Sequence, residues 1–135
     1  MTVDTDREGP SWARETQLIT AVRQRVARHP GALHTQQRLA AELGVSSSIL
    51  NAAFKRRLGI SIAVYVRSER LRIAKRLLLQ TSMSIQDIAR ELGFSGPANF
   101  STSFRQHVGV SPTEFRNGPP ALRDLMTTDP VKWGE

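Results

Sequence analysis

The side chains best suited to chemistry here are small, polar and cationic, spaced along two helical stretches, and the chemistry they suit is contact with a nucleic acid. In the first stretch, which begins near Ser46, a helical phase that turns Leu50 and Phe54 inward leaves Ser48, Ala52 and Lys55 on the opposite side. Asn51 flanks them, and Ser47 sits nearer the inner edge at the helix start. In the second, with Phe100 and Phe104 inward, the outward residues are Ala98, Thr102 and Arg105, flanked by Asn99 and Ser101. Asparagine can bond adenine through two atoms, and alanine or threonine can meet a thymine methyl. The base-facing candidates are therefore Ser47, Ser48, Asn51, Ala52, Pro97, Ala98, Asn99, Ser101 and Thr102. Pro97 falls in the first turn of its helix, where a missing N–H is tolerated. Lys55, Arg56, Arg105 and Arg38 are candidates for clamping phosphates. The exposed amides near Ser46 and Ser95 offer two helix N-termini for the same purpose. Each of these charges, taken alone, is equally well an ordinary solvated helix residue.

Other chemistries lack their residues. The chain has no cysteine, which excludes disulfides, thiolate metal sites and cysteine nucleophiles. His29, His34 and His107 are scattered without partners at ligand spacing, so no metal is expected. Ser46, Ser61, Ser84, Ser95 and Ser111 all fall where helices are expected to begin, and capping accounts for them without a nucleophile. There is no glycine-rich phosphate loop ending in GKS or GKT. The expectation is a protein that is not an enzyme and has no cofactor.

Charge points the same way. The 135 residues carry a formal charge of +7, and residues 14–116 hold 16 basic against 6 acidic side chains. The excess lies on the part expected to fold, as suits a body that meets a polyanion. The first fifteen residues are too charged for a secretory segment, and the longest apolar run, Ile62 to Val66, is too short to cross a bilayer. A cytoplasmic protein is expected.

The elements that must position these side chains read as helices throughout. Ser11 precedes a helix over Trp12 to His29 with Leu18, Val22 and Val26 inward, stopped by Pro30-Gly31. Thr35 caps a short helix with Leu39, Ala40 and Leu43 inward, which ends at Gly44. A third helix runs from Ser46 to Gly59. A fourth, capped by Ser61 and reaching about Leu79, turns Tyr65, Leu71, Ala74, Leu77 and Leu78 inward. Arg67, Arg70, Arg72, Lys75 and Arg76 form its basic surface. Ser84 opens a fifth, with Asp87 in a capping-box arrangement. The sixth lies between Ser95 and Gly109, and Ser111-Pro112 begins a last short turn of helix.

Two segments recur. LAAELGVS, Leu39 to Ser46, returns as IARELGFS, Ile88 to Ser95, and FKRRLGIS, Phe54 to Ser61, returns as FRQHVGVS, Phe104 to Ser111. Each copy is a short helix, a glycine turn and a second helix with a phenylalanine anchor, which is the helix-turn-helix pattern. The helix between the copies would be roughly 28 Å long, and successive major-groove faces lie about 34–36 Å apart, so one chain could address both without a dimer. The fold class is all-α: a seven-helix bundle of two helix-turn-helix subdomains joined by a long linker helix. The expected boundaries are a tail over 1–11, a first subdomain over 12–60 (motif about 37–58), the linker over 61–80, a second subdomain over 81–117 (motif about 85–108) and a tail over 118–135. The last tail carries Leu122, Leu125, Met126 and Trp133.

Over roughly residues 16–116 the chain resembles the DNA-binding domain of the AraC/XylS family of bacterial transcription regulators. The most specific part is ARELGFSGPANFSTSFRQHVGVSPTEFR, Ala89 to Arg116. The resemblance implies seven helices, two helix-turn-helix subdomains, and promoter recognition that recruits RNA polymerase. Family members often carry arginine, glutamine or histidine where this chain has Ser48, Ala52, Ala98 and Thr102. Direct base readout should therefore be modest, with more weight on phosphates and DNA shape. The DNA-repair methyltransferases that share this module need acceptor cysteines, which are missing. The alternative is a protein-interaction adaptor or anti-regulator that keeps the scaffold with little or no sequence-specific binding. Too few residues lie outside the seven helices for a ligand-binding domain, which suggests either a stand-alone regulator or a fragment of a longer chain.

Overall fold

The computed structural model describes residues 11–119. Most of the two expected tails, with Leu122, Leu125, Met126 and Trp133, lies outside the described residues. Among the described residues there are seven helices and no strand: α1 (Ser11–Arg28), α2 (Gln36–Leu43), α3 (Ser47–Leu58), α4 (Ile62–Gln80), α5 (Ile85–Glu91), α6 (Pro97–Val108) and α7 (Pro112–Asn117).

Capping sets most of these boundaries. Thr35, Ser46, Ser84 and Ser111 are extended residues whose hydroxyls accept the N–H three residues on, from Arg38, Ile49, Asp87 and Glu114. Ser61 does the same for Val64 at 3.2 Å. Two expectations need correction. The N-cap of α6 is Gly96, not Ser95, and no side chain caps it. Pro97 takes the first helical position, which pushes Gly96 into extended backbone and leaves Ser95 one residue too early. The reciprocal capping box belongs to Ser111 and Glu114 rather than to Ser84 and Asp87. Asp87 is one methylene shorter than the glutamate this motif uses, and its Oδ1 accepts from Arg90 at 3.2 Å instead.

The described chain falls into two compact units. The first comprises residues 11–29 and 33–66, in which α1 and α2 pack against α3. Its core joins Val22, Val26, Leu39, Leu50, Phe54 and Tyr65, with the Phe54 and Tyr65 rings edge-on at 5.5 Å. On α1 the fully buried stripe is Ile19, Val22 and Val26, while Leu18 is only partly covered.

The second unit comprises residues 30–32 and 67–119. Phe94, Phe100, Phe104 and Phe115 form a chain of tilted and edge-on rings with centroids 5.1 to 5.8 Å apart, beside Leu71, Leu78 and Ile88. Arg116 of α7 donates to the carbonyls of Leu78 and Thr81, which satisfies acceptors at the end of α4. Arg70 donates from Nε to the Pro30 carbonyl (2.7 Å) and from Nη2 to the Ala32 carbonyl (2.8 Å), and burial lowers its pKa. Between those carbonyls Gly31 lies so close to the turn after α5 that a Cβ on it would sit 2.3 Å from the Glu91 carbonyl oxygen.

The single helix α4 supplies Ile62, Tyr65 and Val66 to the first core and Leu71, Ile73, Ala74 and Leu78 to the second. Its surface is less uniformly basic than the sequence suggests. Lys75 is buried, and Glu69, also buried, accepts from Arg72 at 2.9 Å. Among the described residues no helix is long and apolar enough to cross a membrane.

Candidate nucleic-acid interface

The two recurring segments form the same local structure. In the first, the Gly44 N–H bonds the Ala41 carbonyl and the Val45 N–H bonds the Ala40 carbonyl. In the second, Gly93 bonds Arg90 and Phe94 bonds Ala89 in the same pattern. Gly44 and Gly93 take φ of 73° and 83°, the left-handed region in which a side chain is strained. In the first copy Gln36 Nε2 also donates to the Ser47 carbonyl at 3.1 Å, tying the start of α2 to the start of α3.

Beyond each turn the second helix buries its anchors (Leu50, Ala53 and Phe54 on α3, Phe100 and Phe104 on α6) and shows its other side to solvent. On α3, Ser48, Ala52 and Lys55 are exposed and Ser47 is half-buried. Ser46 spends its hydroxyl on the Ile49 N–H. On α6, Pro97, Ala98, Asn99, Thr102 and Arg105 are exposed and Ser101 is half-buried; Ser95 is exposed ahead of the helix. Asn51 and Asn99 differ. Asn99 stands in solvent, whereas Asn51 is half-buried with its Oδ1 shut off from water and without a hydrogen-bond partner. A two-atom bond to adenine needs both amide atoms, so in this rotamer only Asn99 presents them. Asn51 lies about 100° around the helix from Leu50, at the edge of the packed face, where phase alone does not decide burial.

Three of the four cationic candidates face an acid. Arg56 Nη1 donates to Glu15 Oε2, and Arg57 Nε lies 3.2 Å from Glu15 Oε1, an ion-pair contact without hydrogen-bond alignment. Arg38 Nε lies 3.5 Å from Glu42, which also accepts from Arg25 Nε at 3.1 Å. Arg105 lies 3.6 Å from Glu114. Lys55 is exposed and has no ion pair among the described residues. The Glu114 carboxyl is held below the usual glutamate range, chiefly by the Ser111 backbone N–H, then by the Ser111 hydroxyl and the charge of Arg105.

The chain matches a family model described as a helix-turn-helix domain over residues 39–118. It is 39% identical over 74 residues to the Arabinose operon regulatory protein of Salmonella typhimurium, covering 55% of this chain and 26% of that protein. It is 35% identical over 82 residues to an uncharacterized HTH-type transcriptional regulator of Bacillus subtilis, covering 61% of this chain and 11% of that one. Among solved structures, a transcriptional regulator from Chromobacterium violaceum, described as an AraC-type DNA-binding domain-containing protein, matches at TM-score 0.71 and 31% identity, over 79% of this chain and 98% of that chain. The chain belongs to the AraC-type helix-turn-helix family. It spans only about a quarter and a tenth of the length of these two curated relatives.

One residue of this AraC-type surface escaped the sequence reading. Ile49 is 57% exposed and takes, on α3, the position that Asn99 takes on α6. With Leu18, Val45 and Ala52 it lines a groove of about 600 Å³ between α1 and α3, rimmed by Arg14 and Arg56. Its helical angle flagged it, since it falls outside the Leu50–Phe54 face; its apolar type argued the other way.

Proposed function

We propose that this chain is a sequence-specific DNA-binding transcription regulator in which α3 and α6 enter successive major-groove segments of a promoter and the bound protein recruits RNA polymerase. Residues 12–60 and 81–117 act as the two reading subdomains and 61–80 as the linker helix, in a cytoplasmic, non-enzymatic protein. The observation that carries the reading is the duplicated turn: matching hydrogen bonds at Val45 and Phe94, each followed by a helix with one face in the core and a small, polar, cationic face in solvent. A helix-turn-helix module needs that division to place its second helix in the groove. The names of the relatives as operon and transcriptional regulators agree with it.

With few strong base readers, phosphates supply most of the affinity. Lys55, exposed and without an acid partner among the described residues, is assigned the leading phosphate contact of the first motif. Asn99 is assigned direct base contact in the second. Selection from a random duplex pool tests the reading: a reproducible asymmetric motif supports it, and no enrichment overturns it. Lys55→Ala should weaken binding to every duplex alike and lower the salt slope by about one. The exposed Ile49 and its groove favour a second reading, an adaptor that docks a protein partner, which the same selection separates from the first.

A further inference from the structure

The arginines of the first unit are arranged around its acids in a repeated pattern. Among its described residues, 11–29 and 33–66, Glu15 and Glu42 are the only acidic side chains. Each gives one carboxylate oxygen to an inner arginine and the other to an outer one. Glu15 holds Arg57 through Oε1 and Arg56 through Oε2; Glu42 holds Arg25 through Oε1 and Arg38 through Oε2. The inner side chains, Arg57 and Arg25, are 37% and 36% exposed, and the outer ones, Arg56 and Arg38, are 60% and 61% exposed. Glu15 itself is only 15% exposed, so it is the fixed member of its group.

We infer that Glu15 is a positioning residue for phosphate recognition: its carboxylate, largely buried and ion-paired with Arg57, orients Arg56 toward the nucleic-acid backbone. This rests on the DNA-binding reading above. Each group of one carboxylate and two guanidinia carries a net single positive charge, enough to neutralise one phosphate. A guanidinium has five N–H donors and spends only one edge on the carboxylate, so the outer arginine keeps donors for a phosphate while still held.

Two effects oppose each other, and their sizes decide the sign. Ordering a free arginine side chain on a phosphate costs about tenfold in affinity, which prior orientation avoids in part. Repulsion between the carboxylate and a phosphate about 7 Å away in water amounts to roughly threefold, less at physiological salt. Where water fills the gap between carboxylate and phosphate, positioning outweighs repulsion by about threefold at most. Removing the acid should therefore weaken binding even though the protein becomes more positive, the opposite of what net charge predicts.

The experiment is a double-mutant cycle on the full chain, read by fluorescence anisotropy with a labelled duplex and checked by circular dichroism. Glu15→Ala should weaken binding about two- to threefold, Arg56→Ala should weaken it at least as much, and the double variant should be no worse than Arg56→Ala alone. Glu15→Gln, which keeps an oxygen acceptor for the guanidinium, should recover most of the loss and serves if the alanine variant does not fold. Glu91→Ala makes the same charge change at an exposed acid with no ion pair among the described residues, and should leave binding equal or slightly tighter. Equal or tighter binding by Glu15→Ala overturns the inference, as does an undiminished loss in the Arg56→Ala background. A parent chain that binds no duplex at low salt refutes the DNA reading instead. The cycle is then run on heparin, where the same loss for Glu15→Ala upholds the positioning role and its absence ends it.

Discussion

Three glycine-to-alanine substitutions separate two physical effects that the repeated turns combine. Gly44 and Gly93 occupy equivalent turns with nearly the same positive φ, but their surroundings differ. A Cβ on Gly44 meets nothing within 4 Å, whereas one on Gly93 would lie 2.7 Å from the Gly31 carbonyl oxygen. Gly31 is the reverse case: it is not in the left-handed region, yet its Cβ would lie 2.3 Å from the Glu91 carbonyl oxygen. Gly44→Ala should therefore show conformational strain alone, about 1–2 kcal/mol less a few tenths recovered from the unfolded chain. Gly31→Ala should show the steric term alone. Backbone blocks backbone there, so residues 30–32 must shift, at roughly 1–3 kcal/mol. The penalty grows by about 1.5–3 kcal/mol if Arg70 loses one of its charge-assisted bonds to Pro30 or Ala32. Gly93→Ala should carry both effects and be more damaging than Gly44→Ala, on the order of 2–5 kcal/mol. Urea unfolding by circular dichroism measures the loss, and hydrogen exchange locates it: in α2 and α3 for Gly44→Ala, in α5 and α6 for Gly93→Ala. If Gly93→Ala is no worse than Gly44→Ala, the close approach of Gly31 and Gly93 does not restrain the second unit.

Two further outcomes follow from the second unit. Because the folded-state pKa of Glu114 lies below its ordinary value, its cap contributes stability that is complete above the ordinary glutamate range. That contribution is lost as pH falls from there through the folded value; Glu114→Gln keeps the cap geometry and should flatten this acid limb in melts taken from pH 7 to 3. Asn99→Ala should relax base preference at one position of a selected site by about 1–3 kcal/mol while leaving affinity for random duplex unchanged, a difference that competition titrations resolve.

Caps and glycines made most of the fold legible in the sequence, because they act within four residues. Thr35, Ser46, Ser61, Ser84 and Ser111 start helices as their types require, and the turns at Gly44 and Gly93 carry the same hydrogen bonds because their segments recur. Ser95 misled because Pro97 fixes the helix start one residue later. What stayed hidden depends on which helix packs on which flank. Periodicity separates the inner from the outer face of α3, but not the flank that meets α1, where Ile49 lines a groove and Arg56 finds Glu15. The half-burial of Asn51 and the burial of Lys75 have the same origin: both lie where a neighbouring element, not the helical wheel, decides access.

Hydroxyl-radical footprinting of the chain on a duplex carrying its selected site tests the central claim most directly. The account predicts two protected patches on one face of the duplex, centred about one helical turn apart, with different sequences beneath them and one chain per site. A single patch, or protection with no preferred sequence, would contradict it.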